Sequence, residues 1–391
     1  GVSEGASGHH FECKGTLDGK ACGTVGLLQD HDYASTAASV KELVCLDCGY
    51  TTQNDNYGKK VTVSWNQDYT IKELADFEKV VTGTGTEKDP YIIDTAAELL
   101  YVTVFSGDDS IGKYYKVADN IGAFNMGSYA LGASTNDIKT KVKESYLSWA
   151  PHNNSGDKNS ANVYFQGHFD GNGAVVYGLA GRAHWTGLFP EIKGTASILN
   201  LTVQSSSFMS ATATASAGAL VGKIENDTNL TITNCASIGN YICANGAEQS
   251  ALGSLVGRVS GNGTVHTSKV TINNCLVKDN AFGNESETVN VTVPYGGFIG
   301  FGYSNGQSYK NSVAINNTPW SAPDANCTAA NVEGIYSRYN NINTFEDVYT
   351  TAQSTSQVLL GYYGSGSQVK DTYSAGQIKS IATVNDRASY P

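Results

Sequence analysis

Apolar and polar residues alternate in short segments through the second half of the chain. Leu230-Thr-Ile-Thr233 and Lys269-Val-Thr-Ile272 are examples, rich in β-branched residues and bounded by Gly, Asn and Ser. A period of two predicts short strands that bury one face. No segment here carries the long 3.6-residue period that a helical repeat would need, so the pattern predicts an all-β region.

A short phrase recurs six times along these strands: an apolar or aromatic residue, any residue, Asn or Asp, then a strand-like continuation. The Asn/Asp positions are Asn200, Asn234, Asn274, Asn311, Asp347 and Asp371. A repeat every few tens of residues is typical of a solenoid. Stacking of the repeats buries the apolar face that one repeat cannot bury alone. Asn and Asp suit corners because they tolerate left-handed backbone.

Stacked corners would bring the four Asn side chains into an amide ladder along the axis, and independent turn residues are the alternative. The change to Asp at the last two positions indicates a corner in contact with water, because buried stacked carboxylates would repel each other. Gly218 and Gly253 belong to a second recurring phrase, Gly-x-Leu-Val-Gly. They are expected where a Cβ would collide with the neighbouring coil.

The sequence predicts three regions: a Cys/His module over 1–57, a connector strand and short helix over 58–89, and a right-handed parallel β-helix over 90–391. A polar insertion is expected near 122–160. Thr95 and Glu98 have the spacing of a capping box, which predicts a short helix over the end of the coil stack.

The N-terminal module has two pairs of soft ligands with knuckle spacing. These are His10 with Cys13, and Cys45 with Cys48. This spacing lets both members of a pair face one tetrahedral ion, so the sequence predicts one structural Zn, with Cys22 as an alternative ligand. A disulfide, for example between Cys13 and Cys22, is the other interpretation.

Two further cysteines, Cys235 and Cys275, follow the ladder position in successive repeats. They should lie one coil apart, within disulfide range, and stacked inward-facing thiols are the alternative.

Charged residues make up 16% of the chain and the net charge is −11, so nucleic acid is an unfavourable partner. No apolar run is long enough for a membrane span. A chain without an initial Met fits a mature exported form, trimmed of its signal peptide. Nine Asn-x-Ser/Thr sequons are candidate glycosylation sites. They are Asn153, Asn200, Asn226, Asn229, Asn262, Asn284, Asn290, Asn316 and Asn326.

An ordered series of motifs resembles the GLUG-repeat adhesin-like surface proteins. It runs from GTGTEKDPYII and AAELLY through GKYYKVADNI and FQGHFDGNG to the Gly-x-Leu-Val-Gly repeats, over about 83–380. The resemblance implies a secreted right-handed parallel β-helix at a cell surface. It supplies no catalytic residues.

Candidate chemistry is sparse. Acidic residues are scattered singly through the repeats, His168, His184 and His266 each stand apart in sequence, and no Ser lies in a nucleophile elbow. Tyrosines crowd the C-terminal third, either as a contact surface or as core filling. We therefore expect a non-enzymatic surface protein that associates with copies of itself or binds glycans or a host surface. The alternative is a β-helical polysaccharide lyase or glycoside hydrolase.

Overall fold

The computed structural model describes residues 70–141, 164–211, 215–244, 251–260, 267–284, 295–302 and 307–315, with short segments elsewhere. Two compact units are distinguished: residues 1–61 with 119–122, and residues 62–118 with 123–391.

The second unit is a parallel β-helix whose strands follow one another in successive coils. Coil 1 spans 168–192, coil 2 spans 195–224, coil 3 spans 229–259 and coil 4 spans 269–302. The strands of the first two coils are His168–Tyr177, Ala180–Ala183, Trp185–Thr186, Phe189–Ile192, Thr195–Gln204, Ser207–Ser210, Ser216–Gly218 and Val221–Ile224. Those of the next two are Asn229–Thr233, Ala236–Ile238, Tyr241–Ala244, Ala251–Gly253, Val256–Val259, Lys269–Asn273, Leu276–Lys278, Ala281–Asn284, Tyr295–Gly296 and Ile299–Gly302.

Each strand pairs in parallel with its equivalent in the next coil. In the longest sheet, Ile198 pairs with Ile232, which in turn pairs with Ile272. Gln307–Lys310 and Val313–Ile315 begin coil 5, and Thr344–Glu346, Val348–Thr350 and Ile378–Ser380 continue the same sheet. The predicted all-β parallel solenoid is confirmed.

Burial explains why these sequences form coils. Ile198, Ile232 and Ile272 are fully buried, while their neighbours in each strand alternate outward. The glycine phrase marks where the backbones of successive coils approach most closely. A Cβ on Gly222 would lie 2.6 Å from the Pro190 oxygen, and one on Gly257 would lie 2.5 Å from the Gly222 oxygen. Both glycines lie inside strands, Val221–Ile224 and Val256–Val259, where a Cβ would collide with the main chain of the neighbouring coil.

At the start of this unit, strands Tyr91–Ile93, Tyr114–Val117 and Ile121–Asn125 extend the long sheet before coil 1. The predicted capping box is confirmed, because Thr95 accepts from the Glu98 amide and Glu98 accepts from the Thr95 amide. It begins helix Ala96–Leu100, which continues as a π-helix over Tyr101–Phe105 and a 3-10 turn over Gly107–Ser110. The π-helix packs against Phe189–Ile192.

The stretch expected as a polar insertion is partly built into the fold. Within it, residues 123–125 pair in parallel with coil 1. Helix Thr135–Lys141 places Ile138 in a buried cluster with Tyr129, Met209 and Tyr241. Ile138 is the single buried residue of this helix, and its polar neighbours in sequence gave no sign of the packing. Residues 142–163 lie outside the described part.

The first unit contains short antiparallel pairs. Val2–Ser3 pairs with His9–His10, Thr16–Leu17 with Lys20–Ala21, and Glu42–Val44 with Thr51–Gln53. The segment predicted as a connector contains strand Val61–Ser64 and helix Leu74–Phe77. Among the helices that the structure describes, none has the length and apolar character needed to cross a bilayer.

Candidate functional site

The corner asparagines adopt left-handed backbone and form a hydrogen-bonded ladder. Asn200, Asn234, Asn274 and Asn311 have φ between 49° and 54°. Asn200 donates to Asp170 Oδ1 at 2.9 Å, Asn234 donates to Asn200 at 3.0 Å, and Asn274 donates to Asn234. The ladder therefore begins at an aspartate in coil 1. Asn234 and Asn274 are exposed. Asp347 and Asp371 fall outside the described residues.

A second asparagine ladder, which sequence analysis missed, is completely buried. Asn280 Nδ2 donates to Asn317 Oδ1 at 2.9 Å, and the Asn240 amide donates to Asn280 Oδ1 at 3.0 Å. Each also bonds a main-chain oxygen, for example Asn240 Nδ2 to Val203. The signal was present, because these residues follow the corner asparagines by six positions and so repeat with the same period.

Cys235 and Cys275 are free thiols in this structure, so the disulfide expected as one alternative is absent and the stacked thiols are observed. Their Sγ atoms lie 3.6 Å from the main-chain oxygens of Ile198 and Ile232 respectively. Burial raises the pKa of the Cys275 thiol to about 12, and burial likewise raises the pKa of the Cys235 thiol.

The predicted metal ligands are only partly described. His10 is buried in its strand, and Cys45 and Cys48 lie in the turn of the hairpin formed by Glu42–Val44 and Thr51–Gln53. A hairpin turn is the setting that a knuckle requires. Cys13 and Cys22 lie outside the described residues. Within the described part, no three His, Cys, Asp or Glu side chains converge. The zinc site stays a prediction.

The sequons occupy different environments. Asn226 and Asn229 are exposed between coils 2 and 3, whereas the Asn200 amide is used in the corner ladder. Asn284 ends strand Ala281–Asn284. Asn153, Asn262, Asn290, Asn316 and Asn326 lie outside the described residues.

A cleft of about 280 Å³ opens on the outer face of the long sheet at coil 1. Three adjacent strands supply its floor, with Tyr114, His168 and Ser197 as direct partners across them. Tyr114 stacks on His168 with ring centroids 4.4 Å apart. The cleft is lined by Glu87, Pro90, Tyr114, Tyr115, Lys116, His168, Phe169, Asp170, Ser197 and Leu199.

His168 does not stand apart, as its position in sequence had indicated. Its Nδ1 is 2.9 Å from Ser197 Oγ. Burial lowers the pKa of His168, and the nearby Glu87 carboxylate partly opposes this shift. The lowered pKa favours the neutral imidazole, a flat ring that can hydrogen-bond. Ser197 and Tyr114 are separated from His168 by 29 and 54 positions in sequence. Coil stacking brings the three together, so the grouping is visible only once the register of the coils is known.

Asp170, also in the cleft, is held by two hydrogen-bond partners. Asp170 accepts hydrogen bonds from Asn200 and from the Asn172 amide at 2.8 Å. A rigid aromatic pair, a hydroxyl and charges of both signs make a site suited to a hydroxyl-rich ligand of low net charge.

A second polar cluster joins charges that looked scattered in sequence. Lys223 Nζ lies 3.1 Å from Glu191 Oε1, also pairs with Glu225, and sits 4.5 Å above the Trp185 ring. Burial raises the pKa of Glu191 to about 7. The pKa of Glu225 falls to about 2, because hydrogen bonds from Glu191 and Lys223 outweigh its own burial. Acidic residues thus meet across adjacent coils, contrary to expectation.

The crowded aromatics of the C-terminal third are core filling where they are described. Phe298 and Tyr309 are fully buried and pack with centroids 6.0 Å apart.

Comparison with known proteins assigns no family to this chain. No protein-family model matches the chain, and no curated protein matches it. One solved structure, titled a putative immunoglobulin A1 protease from Bacteroides ovatus, is 17% identical, with a TM-score of 0.33 over 68% of this chain and 76% of that one. Similarity at this level assigns no activity.

Proposed function

We propose that this is an exported, non-enzymatic surface protein that adheres through carbohydrate bound in the coil 1 cleft. The observation that carries the proposal is the stacked Tyr114–His168 pair on the outer sheet face, beside the Ser197 hydroxyl. Flat rings against which a sugar can stack, flanked by hydroxyl and charged groups, are suited to glycans. The resemblance to GLUG-repeat proteins supports the surface location.

Binding of the purified full chain to a panel of neutral polysaccharides tests the proposal. Removing one ring of the pair with Tyr114→Ala is expected to weaken binding about 5- to 10-fold, since aromatic contacts of this kind are worth about 1 kcal/mol. Tyr164→Ala is the matched control, because Tyr164 is a half-exposed tyrosine that bonds Asp108 and does not line the cleft. Absence of carbohydrate binding, or a Tyr114→Ala protein that binds normally, would overturn the proposal.

A glycoside hydrolase is the second candidate, because Glu191 and Glu225 have pKa values displaced in opposite directions. Such a pair is typical of a general acid and its partner. The arrangement argues against it: Lys223 bonds both carboxylates and so occupies the space that a glycosidic oxygen would need. Release of reducing sugar by the wild-type chain, abolished by Glu225→Gln, would establish the hydrolase instead.

A further inference from the structure

The cleft lies at one end of a straight row of outward side chains. Tyr114, His168, Ser197, Thr231, Thr271 and Ser308 are direct partners in six successive strands, and we call this row the polar column. No register shift occurs between Ser197 and Ser308. With strands about 4.8 Å apart, five steps extend about 24 Å along the coil axis.

The hydroxyls of the polar column beyond the cleft are open to a ligand. Thr231, Thr271 and Ser308 are half-buried, and their hydroxyls have no hydrogen-bond partner among the described residues. Some other hydroxyls on these coils bond the main chain instead, as Ser216 does to the Gly222 oxygen at 2.7 Å and Ser312 to the Lys310 oxygen at 2.7 Å. The column therefore keeps donors and acceptors at one constant spacing.

We propose that the polar column extends the cleft into a track for a linear, neutral, β-1,4-linked glycan lying along the coil axis. A sugar in such an extended chain advances by nearly one strand spacing, so each coil meets one sugar. The column carries no carboxylate or ammonium group, which favours a neutral chain. This inference rests on the proposed function, because the cleft holds the first sugar.

Calorimetric titration of the full chain, produced without glycosylation, with β-1,4-linked glucose oligomers of two to six units tests the track. Affinity is expected to rise with each added unit up to about five, one for the Tyr114–His168 pair and one for each later strand. Oligomers of α-1,4-linked glucose have the same composition but form curved chains. Their affinity is therefore expected not to increase with length.

Thr271→Val removes one hydroxyl in the middle of the track and keeps the β-branched shape. It is expected to weaken hexamer binding about 3- to 10-fold and leave dimer binding unchanged. The control is Thr202→Val, on the same sheet but beyond the Asn200 corner and outside the column. The track alone would be overturned if the dimer bound but affinity did not increase with oligomer length. It would also be overturned if Thr271→Val left the affinity for the hexamer unchanged. Absence of binding at every length would also overturn the track, while binding of another neutral polysaccharide from the panel would leave the proposed function standing.

Discussion

Asparagine stabilises the coils in two ways that differ in burial. Asn234 lies exposed at a left-handed corner and bonds the asparagines of adjacent coils. Asn280 is fully buried and satisfies main-chain groups, including the Asn240 amide and the Ser237 oxygen. A buried polar group that loses its partner costs more than an exposed one, because water cannot replace the bond. The two ladders should therefore contribute unequally to stability.

We expect Asn280→Ala to lower the free energy of unfolding by about 3 kcal/mol, since two buried main-chain groups lose partners. Asn234→Gly should cost about 1 kcal/mol or less, because glycine adopts the same φ and the site is wet. Urea unfolding followed by circular dichroism measures both values. Equal losses would contradict this distinction between the ladders.

Glycines at close contacts between coils differ from glycines in open turns. A Cβ at Gly257 would lie 2.8 Å from Ala217 N, a backbone atom held by stacking, so Gly257→Ala should cost about 3 kcal/mol or more. Gly112 has φ 62° but nothing within 4 Å, so Gly112→Ala should cost only about 1 to 2 kcal/mol of backbone strain. Thermal unfolding compares them, and a Gly257→Ala chain as stable as Gly112→Ala would show that the coils do not pack as described.

At the scale of elements, the Glu191–Lys223–Glu225 cluster ties strand Phe189–Ile192 to strand Val221–Ile224. The carboxylates of Glu191 and Glu225 share the single ammonium group of Lys223, which leaves a surplus negative charge in a half-buried place. Trp185 lies under Lys223, and Arg258 is the strand partner of Lys223 in the next coil. The surplus is relieved by protonating Glu191, whose pKa rises to about 7. The pairing of these strands should therefore depend on pH.

Because folded Glu191 holds its proton more tightly than the unfolded chain does, its contribution is complete below about pH 4.5 and is lost as pH rises through about 7. The free energy of unfolding should fall over that interval, and Glu191→Gln should reduce the fall. Glu98, also raised to about 7 by burial, contributes in the same direction. Asp76→Asn, which removes only an exposed ion pair with Lys79, should leave the slope unchanged. An unchanged slope in Glu191→Gln would refute this assignment.

Sequence predicted the elements whose signals are local. The alternation of apolar and polar residues predicted the strands. Thr95 and Glu98 predicted the capped helix, and the repeated Asn/Asp positions predicted the corners. Helix Thr135–Lys141 was missed because its single buried residue, Ile138, carries no period. The cleft was missed for another reason. The coils differ in length, so the sequence alone does not show which residues become partners. Pairing His168 with Ser197 also requires the register on both sides of a bulge near Asn172. The Glu191–Lys223 pair was missed because it depends on the register between strands Phe189–Ile192 and Val221–Ile224 of a different sheet.

The two units differ in how they can be stabilised. The second unit has a continuous buried core of Ile, Val, Leu and Phe. The strands that the structure describes in the first unit are two or three residues long, and such strands are marginal without a further restraint. A bound metal or disulfides would supply that restraint.

We therefore expect one Zn per chain by elemental analysis, lost on Cys48→Ser and retained on Cys275→Ser, whose thiol is buried in the second unit. Chelation should increase hydrogen exchange in the first unit and leave the coils protected. Metal-free protein with oxidised N-terminal cysteines, detected by mass spectrometry, would favour disulfides instead.

The most direct test of the account is a crystal structure of the full chain with the β-1,4-linked glucose hexamer. We predict a first sugar against the Tyr114–His168 pair and later sugars following Ser197, Thr231 and Thr271 along the coil axis. A hexamer bound on another face, or one crossing the coils at right angles to their axis, would contradict the account.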